Sequence, residues 1–305
     1  MLRVKKISFG YGNSPTVDSI SFSVKKGAVL AIAGESGSGK STILKLIYGE
    51  LDLSAGSISW EGQNILGPKN KLIAGPEFMK YVSQEFELMT FATVSESVGS
   101  HLSAFFPKKR SERIQELLEV VGLVDYKDRK VKLLSGGQKQ RVSLAKALAK
   151  EPEVLLLDEP FGHIDSFKKR FLRKQLFAYL KIKNISCVIA THDKEDVLAF
   201  ADNMLFVNNG KSLAFGRPKE LFSNPSHSFV AAFFSEHSKI DDAIYYSHDI
   251  KIVTKSKLRA MVVKSYYKGP YFLIEAIYCS KTIFLEHPEW VPPDSEISIE
   301  FKKRA

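Results

Sequence analysis

A glycine-rich loop between a buried strand and a helix constrains this chain more than any other feature of its sequence. The apolar run at residues 28–33 predicts a strand that is buried on both faces. After the loop, Ile43, Leu44 and Ile47 fall on one predicted helix face. Together with the later alternation of strands and helices, this pattern predicts an α/β fold built on a mainly parallel sheet.

The loop itself predicts a phosphate-binding site, because it fits the pattern G-x-x-x-x-G-K-[ST]. Its glycines let backbone N–H groups turn toward phosphate oxygens, and the positive end of the helix dipole favours a bound anion. Lys40 is placed to reach the β- and γ-phosphates of a nucleotide, and the Ser41 hydroxyl to bind Mg²⁺. The predicted nucleotide-binding residues of this loop are Gly34, Glu35, Ser36, Gly37, Ser38, Gly39, Lys40 and Ser41.

Carboxylates follow a second buried strand at residues 154–157. Because buried carboxylates are costly without a cation or a water network, Asp158 is predicted to hold Mg²⁺ and Glu159 to polarise an attacking water as a general base. A third apolar strand at residues 185–190 ends at Thr191 and His192. Ligands of a parallel sheet gather beyond the carboxyl ends of its strands, so we expect the chemistry at these three strand ends.

The segment Leu134-Ser135-Gly136-Gly137-Gln138 predicts a second anion-binding helix start, with Ser135 as the N-cap. Along the chain the order is the phosphate loop, Gln84 after a strand, L-S-G-G-Q, the run L-L-L-D-E-P, and a histidine after the next strand. In this order of motifs, residues 1 to about 235 resemble the ATP-binding subunit of an ATP-binding-cassette (ABC) transporter. The resemblance implies a P-loop ATPase that uses ATP and Mg²⁺.

The resemblance also implies roles for single residues. Thr42 joins the phosphate site, Gln84 contacts the metal and the attacking water and couples to the membrane subunit, and His192 contacts the γ-phosphate. Tyr11 matches the aromatic residue that stacks on adenine, with Phe9 as the rival candidate. Residues acting across a dimer interface would be Ser135, Gly136, Gly137, Gln138 and Asp165, the last in a loop, Gly162-His163-Ile164-Asp165, that departs from the usual family sequence.

Partners follow from the same resemblance. One set of motifs predicts a homodimer or a pair with a similar cassette subunit, bound to integral membrane permease subunits and working with a solute-binding protein. The expected location is peripheral, on the cytoplasmic side of the plasma (inner) membrane, and no nucleic-acid partner is expected. The alternative is a soluble ABC-type ATPase acting on nucleic acid or ribosomes, which the net charge of +10 would suit. Those relatives carry two cassettes or long coiled coils, and this sequence has neither.

The chain of 305 residues exceeds the usual size of a single core, which favours two domains. We predict an ABC ATPase domain at residues 1–236, a linker at 237–249 and a small all-β, OB-like domain at 250–305. Helical periodicity over 94–105, 112–121 and 138–149 predicts a helical subdomain at about 87–150. The tail resembles the TOBE-type domain of importers, which implies import of an inorganic anion, metal ion, polyamine or sugar.

Overall fold

The computed structural model describes residues 1–12, 14–85 and 87–302, so the last three residues of the predicted C-terminal domain lie outside the described part of the chain. Contacts divide the chain into two compact units, Met1–Pro218 and Lys219–Ala305. The domain boundary at residue 236 stays a prediction.

The strands of the first unit are β1 (Leu2–Phe9), β2 (Val17–Val24), β3 (Val29–Ala33), β4 (Ala55–Trp60), β5 (Gln63–Asn64), β6 (Met79–Val82), β7 (Val154–Asp158), β8 (Ser186–Thr191), β9 (Asn203–Asn208) and β10 (Lys211–Gly216). Its helices are α1 (Lys40–Tyr48), α2 (Val94–Val98), α3 (Pro107–Val121), α4 (Gly136–Leu148), α5 (Ser166–Ile182) and α6 (Lys194–Phe200). The next helix, α7 (Pro218–Ser223), begins at the last residue of the first unit and belongs otherwise to the second.

A six-stranded sheet in the order β10-β9-β3-β8-β7-β6 forms the centre of the first unit. Neighbouring strands from β9 to β6 pair in parallel, and β10 pairs antiparallel to β9. Every residue of β7 and of β8 is buried, as expected for strands covered on both faces. The three buried strands predicted from apolar runs are therefore β3, β7 and β8, and their carboxyl ends lie at one edge of the sheet.

A second, antiparallel sheet in the order β2-β1-β4-β5 completes the core of the first unit. Its inward side chains, such as Ile20 and Trp60, belong to the same buried cluster as Ile43 of α1 and Leu156 of β7. The start of β2 also approaches the phosphate loop, because a Cβ atom at Gly39 would lie 2.7 Å from the carbonyl oxygen of Thr16. Packing of the two sheets around α1 therefore positions the loop.

Helices occupy the predicted insertion, although two of them differ in length from the prediction. The helix that begins at Val94 ends at Val98 and continues as a 3-10 turn, Gly99–His101. The next helix begins at Pro107, earlier than the periodicity indicates, because a proline lacks the N–H group that the first turn leaves unpaired. Among the described residues, no helix is both long and apolar enough to cross a membrane.

The second unit contains α8 (Ser228–Phe234), β11 (His237–Ile240), β12 (Ala243–Tyr246), β13 (Ile250–Ile252), β14 (Arg259–Tyr267), β15 (Phe272–Tyr278), β16 (Lys281–His287) and β17 (Glu296–Phe301). Five of these strands form an antiparallel sheet, β13-β17-β14-β15-β16, around an aliphatic core. The predicted all-β, OB-like architecture is consistent with this sheet. Residues 237–249, which we predicted as a linker, form the β11–β12 hairpin and a 3-10 turn.

Candidate functional site

The glycine-rich loop joins β3 to α1, as the sequence predicts, and its glycines adopt conformations that other residues avoid. The φ angles of Gly34, Gly37 and Gly39 are +154°, +80° and +103°. A Cβ atom at Gly34 would lie 2.1 Å from the carbonyl oxygen of Val207, on neighbouring β9. Glycine is therefore required at this position both by the backbone conformation and by the close approach of β9.

Lys40 lies inside the loop and is almost completely buried. Its Nζ donates hydrogen bonds to the carbonyl oxygens of Gly34 (2.9 Å) and Glu35 (2.8 Å). Burial lowers the pKa of Lys40, and the carboxylates of Glu159 and Asp158 oppose that change. Ser38 Oγ is also buried and has no hydrogen-bond partner in the described part of the chain. A buried ammonium group and an unpaired hydroxyl inside one loop suit an oxygen-rich anion.

Asp158 is the last residue of β7 and is only 3% exposed. Its carboxylate accepts hydrogen bonds from Ser41 Oγ and from the Tyr81 hydroxyl, each at 3.0 Å. Burial raises the pKa of Asp158, while these two hydrogen bonds act in the opposite direction. The predicted metal residues Ser41 and Asp158 are thus in contact and present the hard oxygen donors that Mg²⁺ prefers.

Tyr81 is a site residue that the sequence analysis missed. It lies on β6, where it pairs with Leu156 of β7, and its side chain reaches the end of that strand. Burial and the nearby Asp158 carboxylate raise the pKa of Tyr81, so the hydroxyl remains a donor. The available signal was weak, because a tyrosine in a strand is ordinarily interpreted as a packing residue.

Glu159 directly follows β7 and has a φ angle of +46°, which is unusual for a residue other than glycine. Its N–H donates to the carbonyl oxygen of Ala190 on β8, at 3.0 Å. Two residues after Ala190, His192 places Nδ1 3.2 Å from Glu159 Oε1. The structure therefore brings together two of the predicted catalytic residues, Glu159 and His192, beside the loop that contains Lys40.

The L-S-G-G-Q segment begins α4, and Ser135 is its N-cap as predicted. Ser135 Oγ accepts a hydrogen bond from the Gln138 N–H, and Gln138 Oε1 accepts one from the Ser135 N–H, which forms a capping box. A Cβ atom at Gly137 would lie 2.7 Å from the carbonyl oxygen of His163. The start of α4 therefore lies against the loop that leads to Asp165, and Ser135 and Gly136 are exposed.

Gln140, in the second turn of α4, is a further residue that the sequence analysis missed. It is 1% exposed, and its side-chain amide hydrogen-bonds the main chain of Glu159 and of His163. A signal was present, because Gln140 shares a helix face with the buried Leu144 and Leu148. A polar residue on a buried helix face requires partners, but the pattern does not indicate which ones.

Of the other predicted residues, Thr42 is buried, whereas Tyr11, Gln84 and Asp165 lie at the surface. Tyr11 is 67% exposed and meets Phe9 edge-to-face, with ring centroids 4.8 Å apart. Gln84 lies on an exposed segment after β6. Asp165 is the N-cap of α5, where its carboxylate accepts a hydrogen bond from the Lys168 N–H at 3.0 Å.

Comparisons with known proteins agree with the family resemblance that the sequence motifs indicate. Residues 17–162 match a protein-family model described as ABC transporter. The sulfate/thiosulfate import ATP-binding protein CysA of Synechococcus elongatus is 36% identical over 234 residues, which cover 76% of this chain and 67% of that protein. CysA of Nocardia farcinica is 33% identical over 256 residues, which cover 83% of this chain and 76% of that protein. The Fe(3+) ions import ATP-binding protein FbpC of Photorhabdus laumondii is 32% identical over 237 residues, which cover 77% of this chain and 66% of that protein.

Solved structures also match the fold of much of this chain. The dimeric, post-hydrolysis ATP-binding cassette MJ0796 bound to ADP and Pi gives a TM-score of 0.63 at 25% identity and covers 71% of this chain and 98% of its own. The cbiO1 protein of Clostridium perfringens, part of the ABC transporter complex cbiONQ, gives a TM-score of 0.64 at 31% identity. The match covers 73% of this chain and 90% of cbiO1.

Burial of the Asp158 carboxylate has a testable consequence for stability. Because its pKa is higher in the folded than in the unfolded chain, ionised Asp158 costs stability above the ordinary carboxyl pKa of about 4, and this cost disappears at lower pH. We expect Asp158→Asn to raise the free energy of unfolding near neutral pH by about 0.5–2 kcal/mol, and the gain to vanish in acid.

The measurement is urea denaturation followed by Trp60 fluorescence in a Trp290→Phe background, because Trp60 is buried in the first unit and Trp290 is exposed in the second. Asp125→Asn, at an exposed aspartate, is the control and should change nothing. Destabilisation by Asp158→Asn near neutral pH would show that the buried carboxylate stabilises the fold.

Proposed function

The chain belongs to the ABC transporter family and is an ATP-hydrolysing ATPase of that family, and we propose that it is the energy-coupling subunit of an importer of a small inorganic ion. The observation that carries the role in ATP hydrolysis is the convergence of Lys40, Asp158 and Glu159 at one edge of the parallel sheet. A buried cation in a phosphate loop beside two carboxylates is the arrangement that phosphoryl transfer requires.

ATP is proposed to bind with its phosphates in the loop of residues 34–42. Lys40 already donates to two loop carbonyls, so its ammonium group is held where it can exchange these partners for the β- and γ-phosphate oxygens. Ser38 Oγ supplies a further donor from within the loop. Tyr11 is proposed to stack on adenine, which its exposed ring allows.

Ser41 and Asp158 are proposed to hold Mg²⁺, with Gln84 as a third residue. Bound there, the ion would neutralise charge on the phosphate oxygens. Their oxygen atoms fit such an ion, since Asp158 is nearly buried and its present partners are hydroxyl groups that can rotate. Gln84 lies on an exposed segment, so its assignment rests on the order of motifs alone.

Glu159 is proposed to accept a proton from the attacking water, and His192 to hold the Glu159 carboxylate and the γ-phosphate in position. The carboxylate is partly exposed and lies within 3.2 Å of His192 Nδ1, so it can contact both a water molecule and the imidazole. Little covalent chemistry is needed from the protein, because orientation and charge compensation supply most of the rate enhancement in phosphoryl transfer.

Two copies, or this chain and a similar subunit, are proposed to assemble so that Ser135–Gln138 of each closes over the nucleotide of the other. The exposed, capped start of α4 supports this arrangement, because its N–H groups present a site for a phosphate. Asp165 would lie at the same interface. A related cassette, MJ0796, forms a dimer with ADP and Pi bound.

The proposed import direction and solute class are supported by the names of the relatives. Those names specify sulfate/thiosulfate or Fe(3+) import, and cbiO1 is part of the ABC transporter complex cbiONQ. We therefore propose an inorganic anion or a metal ion as the solute, with membrane permease subunits and a solute-binding protein as partners on the inner membrane. The five-stranded sheet of the second unit is proposed to be a TOBE-type domain with a supporting role.

Co-purification tests the transporter role. We expect Glu159→Gln protein, tagged and extracted gently in Mg-ATP, to retain a polytopic membrane protein that mass spectrometry identifies, because the ATP-bound assembly cannot hydrolyse its nucleotide. Lys40→Ala protein, which lacks the cation in the loop, is the control and should retain less. Recovery of nucleic acid or ribosomal proteins alone would favour the soluble ATPase instead.

Replacement of the proposed general base tests the catalytic assignment. We expect Glu159→Gln to lower kcat about 1000-fold or more while the Kd for ATP changes less than about threefold, because the amide keeps the shape but accepts no proton. ATP hydrolysis and equilibrium nucleotide binding are the two measurements. The exposed Glu112→Gln on α3 is the control, and substantial turnover by Glu159→Gln would remove Glu159 from this role.

Substitution at the two neighbouring aromatic residues distinguishes the candidates for adenine stacking. We expect Tyr11→Ala to raise the Kd for ATP about 5- to 100-fold, the equivalent of losing one base–aromatic stack, and Tyr11→Phe to leave it nearly unchanged. Binding of a fluorescent ATP analogue measures this. A larger loss in Phe9→Ala than in Tyr11→Ala would assign the stacking role to Phe9.

A further inference from the structure

We propose that Gln140 is a positioning residue for hydrolysis. Its side chain connects the start of α4, which would contact the partner's nucleotide, to the main chain of the proposed general base Glu159. This inference rests on the proposed function, since it assigns Glu159 to catalysis and Ser135–Gln138 to the partner's nucleotide. It goes further in naming the side chain that connects these two groups within one copy.

Both ends of the Gln140 side-chain amide contact the segment after β7. Nε2 donates to the carbonyl oxygen of Glu159 at 3.0 Å, and Oε1 accepts from the His163 N–H at 3.2 Å. The side chain is 1% exposed, so water does not compete for either hydrogen bond. A single buried group therefore links α4 to the turn of Glu159 and to the loop that leads to Asp165.

The main chain of Glu159 needs such support because of its conformation. A φ angle of +46° is disfavoured for a residue with a Cβ atom and persists only where surrounding contacts hold it. The N–H of Glu159 is held by Ala190 of β8, and its carbonyl oxygen accepts a second hydrogen bond from the Gly162 N–H at 3.1 Å. Among these contacts of the Glu159 main chain, the hydrogen bond from Gln140 is the one that comes from α4. The direction of the Glu159 side chain therefore depends on that helix.

The same helix touches this loop at a second point. The close approach of Gly137 to the carbonyl oxygen of His163 places the first turn of α4 against residues 162–165. Because α4 is a short rigid element, a shift of Ser135 as it meets the partner's nucleotide also shifts Gln140. Glu159 would then be aligned for its water only when α4 is correctly docked, which couples dimer closure to hydrolysis.

Two substitutions separate the hydrogen bonds. Gln140→Leu has a similar size and removes both, whereas Gln140→Glu keeps an acceptor for the His163 N–H but, when ionised, has no donor for the Glu159 carbonyl. We expect each to lower kcat about 10- to 100-fold, while KM for ATP changes less than about threefold. Gln175→Leu and Gln175→Glu, at an exposed glutamine on α5, are the matched controls and should keep wild-type kcat.

A second readout separates positioning from a merely structural role. In a Glu159→Gln background, Gln140→Leu should still form the ATP-dependent dimer on size exclusion, since the proposed role concerns the hydrolysis step. Both substitutions remove a buried hydrogen bond to the main chain, so some loss of thermal stability is expected, and both variants should remain folded at the assay temperature. If Gln140→Leu fails to fold, Gln140→Glu provides the same comparison of kcat, KM and dimer formation.

The outcomes are distinct. Unchanged kcat in both Gln140 variants beside an active wild type would overturn this inference and leave the proposed function intact. Parallel loss of kcat, ATP-dependent dimerisation and thermal stability would also overturn it, because the residue would then serve the fold alone. A wild-type chain without ATPase activity would overturn the proposed function and this inference with it.

Discussion

The hydrogen bond between Ser41 and Asp158 connects the phosphate loop to the end of β7, and the rest of the site is arranged around it. Asp158 is almost fully buried, and an ionised carboxylate in such a position is costly without donors or a cation. Ser41 and Tyr81 provide the donors, and Lys40 lowers the cost by its charge. Burial nevertheless keeps the pKa of Asp158 raised, and Ser38 Oγ has no hydrogen-bond partner in the described part of the chain, which is the state expected of a site that binds a charged ligand.

Register between parallel strands places the catalytic candidates. Asp158 pairs with Ala190 across β7 and β8, so Glu159 and His192 follow at the same edge of the sheet. The Glu159 N–H then bonds the carbonyl oxygen of Ala190, and its carboxylate meets His192. Since β3 lies on the other side of β8, the loop with Lys40 opens at this edge as well. Strand order, and not proximity along the chain, brings the groups together.

Local patterns predicted much of this arrangement. The apolar runs located β3, β7 and β8, the phosphate-loop pattern located α1, and the small residues after Leu134 located the capped start of α4. The patterns were less informative at the start of α3, which begins at Pro107, and at residues 237–246, where a polar stretch forms a hairpin. The start of α3 is set by Pro107, which the apolar periodicity does not reveal, whereas the hairpin depends on what it packs against.

The sequence alone predicted which residue types make up the site. Backbone geometry and charge, which act over a few residues, require glycine at positive φ angles, a lysine after the glycines and carboxylates after an apolar strand. Tertiary structure decided which of these groups touch. Tyr81 reaches Asp158 because β6 pairs with β7, and Gln140 reaches Glu159 because α4 packs beside that turn. Such contacts join residues far apart in the chain, and a local pattern states that a buried polar group needs a partner without naming it.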